Sequence, residues 1–212
     1  MKSEGHTGLA LLLSAPLVLG ASYVVSNIVL YAFVALLIIF VNIPDIDYML
    51  SRSFIGGITG IKHRGFTHTI YFAFVCGILS ASLTVSSQAI SVVTLMFASG
   101  FLGVTLHCLG DVVTPSGIKF IPWVQQSDYS LDLFNYNNAI ANIGFFLIGF
   151  VSIGIVFAYL RQPRIEILGY WISLYVVFLP IITVTSIKTE IRYNTSVLSR
   201  FFNPIWWLRK LF

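Results

Sequence analysis

Four long tracts of this sequence contain no Asp, Glu, Lys or Arg: Gly5 to Pro44, Gly65 to Gly110, Leu133 to Leu160 and Ile167 to Ile187. They are 40, 46, 28 and 21 residues long. Crossing a hydrocarbon core of roughly 30 Å takes about 20 apolar residues in a helix, because an open backbone finds no hydrogen-bond partners there. The first two tracts therefore fit two crossings each and the last two fit one each. The expectation is an all-α integral membrane protein with about six transmembrane helices. Only 9% of the 212 residues are charged, against about a quarter in a soluble domain.

The six helices are predicted near Thr7 to Leu19, Tyr23 to Val41, Thr69 to Leu83, Ala89 to Leu109, Ala139 to Leu160 and Leu168 to Ile187. The first and third are short for a crossing, and the first contains Pro16, so a tilted or broken helix is expected there. Turns are expected at Gly20-Ala21-Ser22 and Ser86-Ser87-Gln88. Lys2 followed by an apolar run also resembles a secretory signal, but no A-x-A cleavage site follows, and a retained helix is the better reading. With no internal repeat and only short polar connections, residues 1–212 read as one membrane-embedded domain. Cys76 and Cys108 lie in predicted helices, where a thiol acts as a small hydrophobe.

Six crossings put the termini, the segment 42–68 and the segment 111–132 on one face. Of the 12 Lys and Arg, only Arg161 and Arg164 then fall on the other face, leaving 12 minus 2, or 10, with the long connections. The positive-inside rule makes that basic face cytoplasmic, so both termini are expected there. A basic rim facing anionic lipid headgroups accounts for the net charge of +4 without a nucleic-acid partner. The tail 188–212 mixes Arg192, Arg200, Arg209 and Lys210 with Phe201, Phe202, Trp206 and Trp207, and reads as an interfacial anchor. Trp123 is expected at headgroup level.

All four histidines fall at or near predicted helix ends on that same face. His6 precedes the first helix, His63 and His68 bracket the start of the third, and His107 is near the end of the fourth. Asp45 and Asp47 follow the second helix, and Asp111 stands four residues beyond His107, on the same helical face. Imidazole with carboxylate suits a divalent transition metal, zinc or else manganese or iron, better than magnesium or calcium. Seven candidate ligands exceed the need of one tetrahedral ion, so two or more ions are expected, as in two-metal phosphoesterases. Singly, each residue has a plainer reading, such as Asp45 and Asp47 favouring a helix N-terminus. The convergence of all seven on one face is what carries the metal reading. In the stretch from Lys62 to Thr69, Thr67 is the expected N-cap of the third helix and Arg64 a planar fork for phosphate. Thr114 and Ser116 are candidate substrate contacts.

These motifs resemble the YdjM-like membrane-bound metal-dependent hydrolase family, also described as LexA-regulated inner-membrane hydrolases. The resemblance runs through His6-Thr7, Pro44-Asp45-Ile46-Asp47, His63-Arg64-Gly65-Phe66-Thr67-His68-Thr69, His107-Cys108-Leu109-Gly110-Asp111 and Thr114-Pro115-Ser116-Gly117, over about residues 6–132. The C-terminal helices and basic tail, 138–212, lie outside it. It implies a metal-dependent hydrolase of the bacterial or archaeal cytoplasmic membrane, more distantly similar to zinc-dependent phospholipase C and related nucleases. It also implies ligand roles for His6, Asp45, Asp47, His63, His68, His107 and Asp111, with Arg64 as a phosphate contact. Related soluble enzymes use a free amino-terminal group near their metals, whereas here five residues precede His6.

The expected function is hydrolysis of a phosphoester of a lipid or lipid-like substrate at the cytoplasmic interface, with Asp45 or Asp47 as general base or ligand. No G-x-S-x-G or H-E-x-x-H element points to serine or zincin chemistry. A metal transporter or sensor of the inner membrane is the alternative. It is disfavoured because transport sites generally sit near the bilayer midplane rather than at helix ends.

Overall fold

The computed structural model describes residues 1–51, 64–84, 89–122 and 128–193, with side chains as far as residue 189. His63, the turn at Ser86 to Gln88, Trp123 and the tail from 194 onward lie outside the described residues. The fold is all-helical. In chain order come α1 (Ser3–Ala21), α2 (Asn27–Asn42), the short α3 (Ile46–Ser51), a 3-10 turn (Phe66–His68), α4 (Ile70–Ser82) and α5 (Ile90–Val112). Then follow α6 (Ala139–Arg161), α7 (Ile165–Ser173), a π-helical turn (Leu174–Phe178) and α8 (Leu179–Tyr193). Among the described residues, Ile118 and Tyr129 make the one strand-like bridge, closing the loop between α5 and α6.

Among the described residues, four stretches are long and apolar enough to cross a membrane: Asn27–Ser51, Ile90–Val112, Ala139–Arg161 and Ile165–Thr189. Of the other two expected crossings, α4 has only 13 residues and α1 has 19, with Glu4 and His6 in its first turns. Two boundaries matter for the site. The first helix starts earlier than expected, so His6 is helical rather than ahead of the helix. The fifth runs on to Val112, so His107 and Asp111 share one helical face as their spacing predicts.

Pro16 does not break α1. A proline has no N–H to give to the carbonyl four residues back, which here is that of Leu12. The hydroxyl of Tyr175 donates to that carbonyl instead. Tyr175 sits in the π-helical turn, just ahead of Pro180, whose missing N–H cannot bond back onto Val176. One proline thus frees a carbonyl, and the local widening near another supplies its partner. Tyr175→Phe should destabilise the detergent-solubilised protein by about 1 to 3 kcal/mol, the cost of a buried polar group left unpaired. An unchanged thermal midpoint would refute that role.

The bundle is built around α1, which lies against α6, α2 and α5, while α4 lies against α5. One core joins Leu11, Ala15 and Val18 of α1 to Leu30, Phe33 and Leu37 of α2, Leu95 and Met96 of α5, and Ile153 and Val156 of α6. In lipid such contacts are driven by close packing, which favours small residues where backbones approach. Gly8 and Gly149 show why: a Cβ on Gly149 would lie 2.1 Å from the Gly8 carbonyl oxygen, and one on Gly8 would lie 2.2 Å from that of Phe145. That contact sets the depth at which α1 carries His6.

Candidate metal centre

Four parts of the chain meet at one end of the bundle. The start of α1 brings His6, the turn after α2 brings Asp45 and, in α3, Asp47, the 3-10 turn brings His68 with Arg64 just ahead of it, and the end of α5 brings His107 and Asp111. His6, His68 and His107 are fully buried, and Asp47 and Asp111 are 2% exposed. Only Asp45 (38%) and Arg64 (18%) have side chains reaching the surface.

Asp111 is the hub. Its Oδ1 lies 3.1 Å from the Met1 amino group and 3.3 Å from His6 Nε2. Its Oδ2 lies 3.3 Å from Arg64 Nε, 3.5 Å from His68 Nε2 and 3.8 Å from His107 Nε2. His6 stacks on His107 with ring centroids 3.9 Å apart. That stacking needs Gly110, because a Cβ there would lie 2.5 Å from His6 Nδ1.

The partners on the far side of two rings fix which nitrogens face inward. His107 Nδ1 lies 2.8 Å from the Val41 carbonyl, to which it must donate. His68 Nδ1 lies 3.3 Å from Asp47 Oδ2 and 3.0 Å from Thr67 Oγ1. With those nitrogens protonated, both Nε2 atoms turn their lone pairs inward, and they stand 3.2 Å apart. Asp111 Oδ2 and Asp45 Oδ1, the latter 3.6 Å from His107 Nε2, add more electron pairs to the same space. Buried acceptors facing acceptors repel unless a cation or proton lies between them. Among the described residues, His6 Nδ1, His6 Nε2 and Asp111 Oδ2 are moreover buried with no partner at hydrogen-bonding geometry. The residues present therefore fit a metal ion.

Among the described residues, two groups could hold one: His6, His107 and Asp111, and Asp45, His68 and His107, the ligand atoms of each group lying within 4.8 Å of one another. Both use His107, whose Nδ1 is engaged, so a single nitrogen is common to the two. The Asp111 carboxylate belongs to the first group and lies 3.5 Å from His68 Nε2 of the second. Burial by itself would lower the His68 pKa, but its carboxylate partners Asp111 and Asp47 outweigh that and raise it. Protons and metal thus compete for the same imidazole. Burial lowers the pKa of the Met1 amine, with Asp111 opposing.

Of the residues singled out from sequence, His6, Asp45, His68, His107 and Asp111 are drawn into these two groups. Asp47 stands behind His68, accepting from the Arg64 backbone N–H at 3.0 Å and from Thr67 Oγ1. A carboxylate behind a histidine fixes its tautomer and ring orientation. Besides touching Asp111, Arg64 donates through Nη1 to the Gly117 carbonyl at 3.2 Å. Its φ of 63° is a left-handed conformation that costs energy for a side-chain-bearing residue and is held here by those contacts. Thr69, not Thr67, caps α4, accepting from the Phe72 N–H, because Thr67 is committed to Asp47. Thr114 is buried and bonds the Asp111 carbonyl at 2.8 Å, so it ends α5 rather than lining the opening. Cys108 faces the apolar cluster with Phe40, Ala73 and Val104.

Sequence reasoning missed three contributors. The Met1 amine reaches Asp111 although five residues precede His6, because α1 begins at Ser3 and folds that stretch back. Asn42 Nδ2 donates to Thr7 Oγ1 at 3.0 Å, and Asn142 Oδ1 accepts from the Lys2 N–H at 2.9 Å, clamping the first turn of α1 from both sides. Neither asparagine has a sequence signal, since both act across long separations. Gly110 was visible only as part of the His107 to Asp111 motif.

The structure is a helical bundle with membrane-length apolar helices and, at one end, a buried His/Asp centre that could hold a metal. The chain matches the YdjM inner membrane protein family over residues 1–187 and belongs to that family of membrane-bound metal-dependent hydrolases. The match reaches through α6 and most of α8, well beyond the 6–132 carried by the motifs. No curated protein and no solved structure matches the chain.

Proposed function

We propose that this protein hydrolyses a phosphoester of a lipid or lipid-like molecule, using transition-metal ions held by His6, Asp45, His68, His107 and Asp111. The observation that carries the reading is the pair of inward-facing imidazole nitrogens, 3.2 Å apart between two carboxylates. Such a donor set suits zinc, with manganese and iron as alternatives. A metal held there would make water more acidic and offset charge developing on the phosphoryl oxygens.

The remaining work belongs to the chain. Asp47 and the Val41 carbonyl keep His68 and His107 in the tautomers that face the centre. Asp45, half-exposed at the opening and close to His107, is the carboxylate best situated to accept a proton from attacking water. Arg64 holds Asp111 and Gly117 through Nε and Nη1, and the rest of its fork can meet a phosphoryl oxygen. A transporter or sensor remains the competing class. Ligands clustered at one end of the bundle, rather than midway along it, favour hydrolysis.

The test is a phosphate-release screen of purified protein over lipid phosphates and phosphodiesters with added zinc or manganese, with metal content measured alongside. Arg64→Lys should keep its metal and lose about 30- to 1000-fold in kcat/KM, the size expected for one preorganised donor. Full activity in that variant would remove Arg64 from the chemistry. The orientation follows from the ten-to-two bias in basic residues. Reporter fusions after Ile187 should report cytoplasm, and fusions between Arg161 and Arg164 the opposite side; the reverse pattern would overturn it.

A further inference from the structure

The apolar surface around the opening bears on how a substrate gets in. Asp45 and Arg64 form the accessible edge of an otherwise buried centre. Close to these two residues in the chain stand large exposed apolar side chains: Met49 of α3, four residues beyond Asp45, at 72%, and Phe66 of the 3-10 turn, two residues beyond Arg64, at 60%. Asp47 ties these two elements together through the Arg64 N–H and Thr67. From Phe66 the apolar surface continues down α4 as Tyr71, Phe74 and Ile78, exposed by 48%, 48% and 62% at helical spacing.

Length gives the depth. The 13 residues of α4 span about 20 Å at 1.5 Å per residue, some 10 Å short of a typical hydrocarbon core. His107 lies five residues before the end of α5, or about 7 to 8 Å below it. The centre is thus recessed by about that much from the end of α5 and lies beside a helix too short to cross a typical core without tilt or thinning.

We propose that the metal centre opens sideways into the bilayer. The gap between Asp45 and Arg64, rimmed by Met49 and Phe66, takes the phosphate-bearing headgroup of a lipid whose chains stay in the membrane along the α4 stripe. The substrate class rests on the hydrolase reading; the direction of the opening does not.

The test uses the full-length protein in vesicles of phosphatidylethanolamine and phosphatidylglycerol. Met49→Cys and Phe66→Cys are each labelled with a nitroxide, with the parent chain as control because Cys76 and Cys108 are buried. Both labels should collide freely with oxygen and be protected from a water-soluble nickel chelate. Access by the chelate would mean a mouth open to water, and protection from both would mean cover by protein such as a second copy; either overturns the proposal. A kinetic arm separates the two readings. Phe66→Ser should lower the ratio of activity on a vesicle-borne phosphodiester to that on a short-chain soluble one by on the order of tenfold, the effect of losing one large apolar contact with lipid. An unchanged ratio counts against the portal. If the parent chain cleaves neither substrate, the hydrolase reading fails while the collision result still decides the direction of the opening.

Discussion

Asp111→Asn is expected to abolish metal binding and to destabilise the metal-free protein as well. The substitution keeps the shape and removes one negative charge from beneath the Met1 amine, Arg64 and three imidazoles. A neutral amide is a poor ligand, so metal affinity should fall at least 100-fold, more than the roughly 10- to 100-fold typical of losing a supporting contact. The stability cost follows from burial. Asp111 is 2% exposed, and breaking a buried ion pair by removing one partner costs about 3 to 5 kcal/mol, because the opposite charge is left uncompensated. Asp45→Asn is the contrast. That side chain is 38% exposed and its nearest described ion-pair partner is His107 Nε2 at 3.6 Å, so its loss should cost less than about 1 kcal/mol while still impairing function. Metal analysis with thermal unfolding in detergent tests both. Similar unfolding midpoints for the two variants would show that Asp111 is not the electrostatic hub.

From sequence alone, a ligand at a helix end looks removable without harm to the fold. The surroundings of Asp111 lead to the opposite prediction, and the reason is tertiary. Its spacing from His107 announces a shared helical face, but only the arrival of α1 and the 3-10 turn buries it among the Met1 amine, Arg64 and three imidazoles. The same division runs through the rest of the site. Charge-free tracts made the helices legible, and the clustering of histidines and aspartates at one end was legible once six crossings were assumed. Roles within the cluster were not. Asp45 and Asp47 are two residues apart and look equivalent, yet one faces His107 at the opening and the other stands behind His68. Thr67 looks like a helix cap until Asp47 takes its hydroxyl. Arg64 reads as a free phosphate clamp, and only the fold brings it against Asp111 and Gly117. Sequence spacing reports which residues share a helix face; it says little about which atom of a side chain meets a partner from another helix.

Gly149→Ala should therefore damage the metal centre from a distance. The added Cβ would lie 2.1 Å from the Gly8 carbonyl oxygen and 2.8 Å from its Cα. Those are backbone atoms and cannot rotate away, so α1 and α6 must part by about 1 Å to reach ordinary contact distances. Overpacking of this kind typically costs about 1 to 3 kcal/mol. The larger consequence lies two residues back along α1 from Gly8, where His6 rides on the same helix. Moving it by about 1 Å disturbs both its stacking on His107 at 3.9 Å and its 3.3 Å approach to Asp111. Misplacement of that size can reduce a rate about 100-fold. Gly154→Ala, one turn and a half further along α6, supplies the control, since a Cβ there meets nothing within 4 Å. That variant should be neutral or gain about 0.5 to 1 kcal/mol from better helix propensity. Measured side by side, Gly149→Ala should lose stability, metal affinity and activity together, whereas Gly154→Ala should lose none. If the two alanines behave alike, the depth of α1 is not set by the Gly8–Gly149 contact and His6 is held in place by the Asn42 and Asn142 clamp instead.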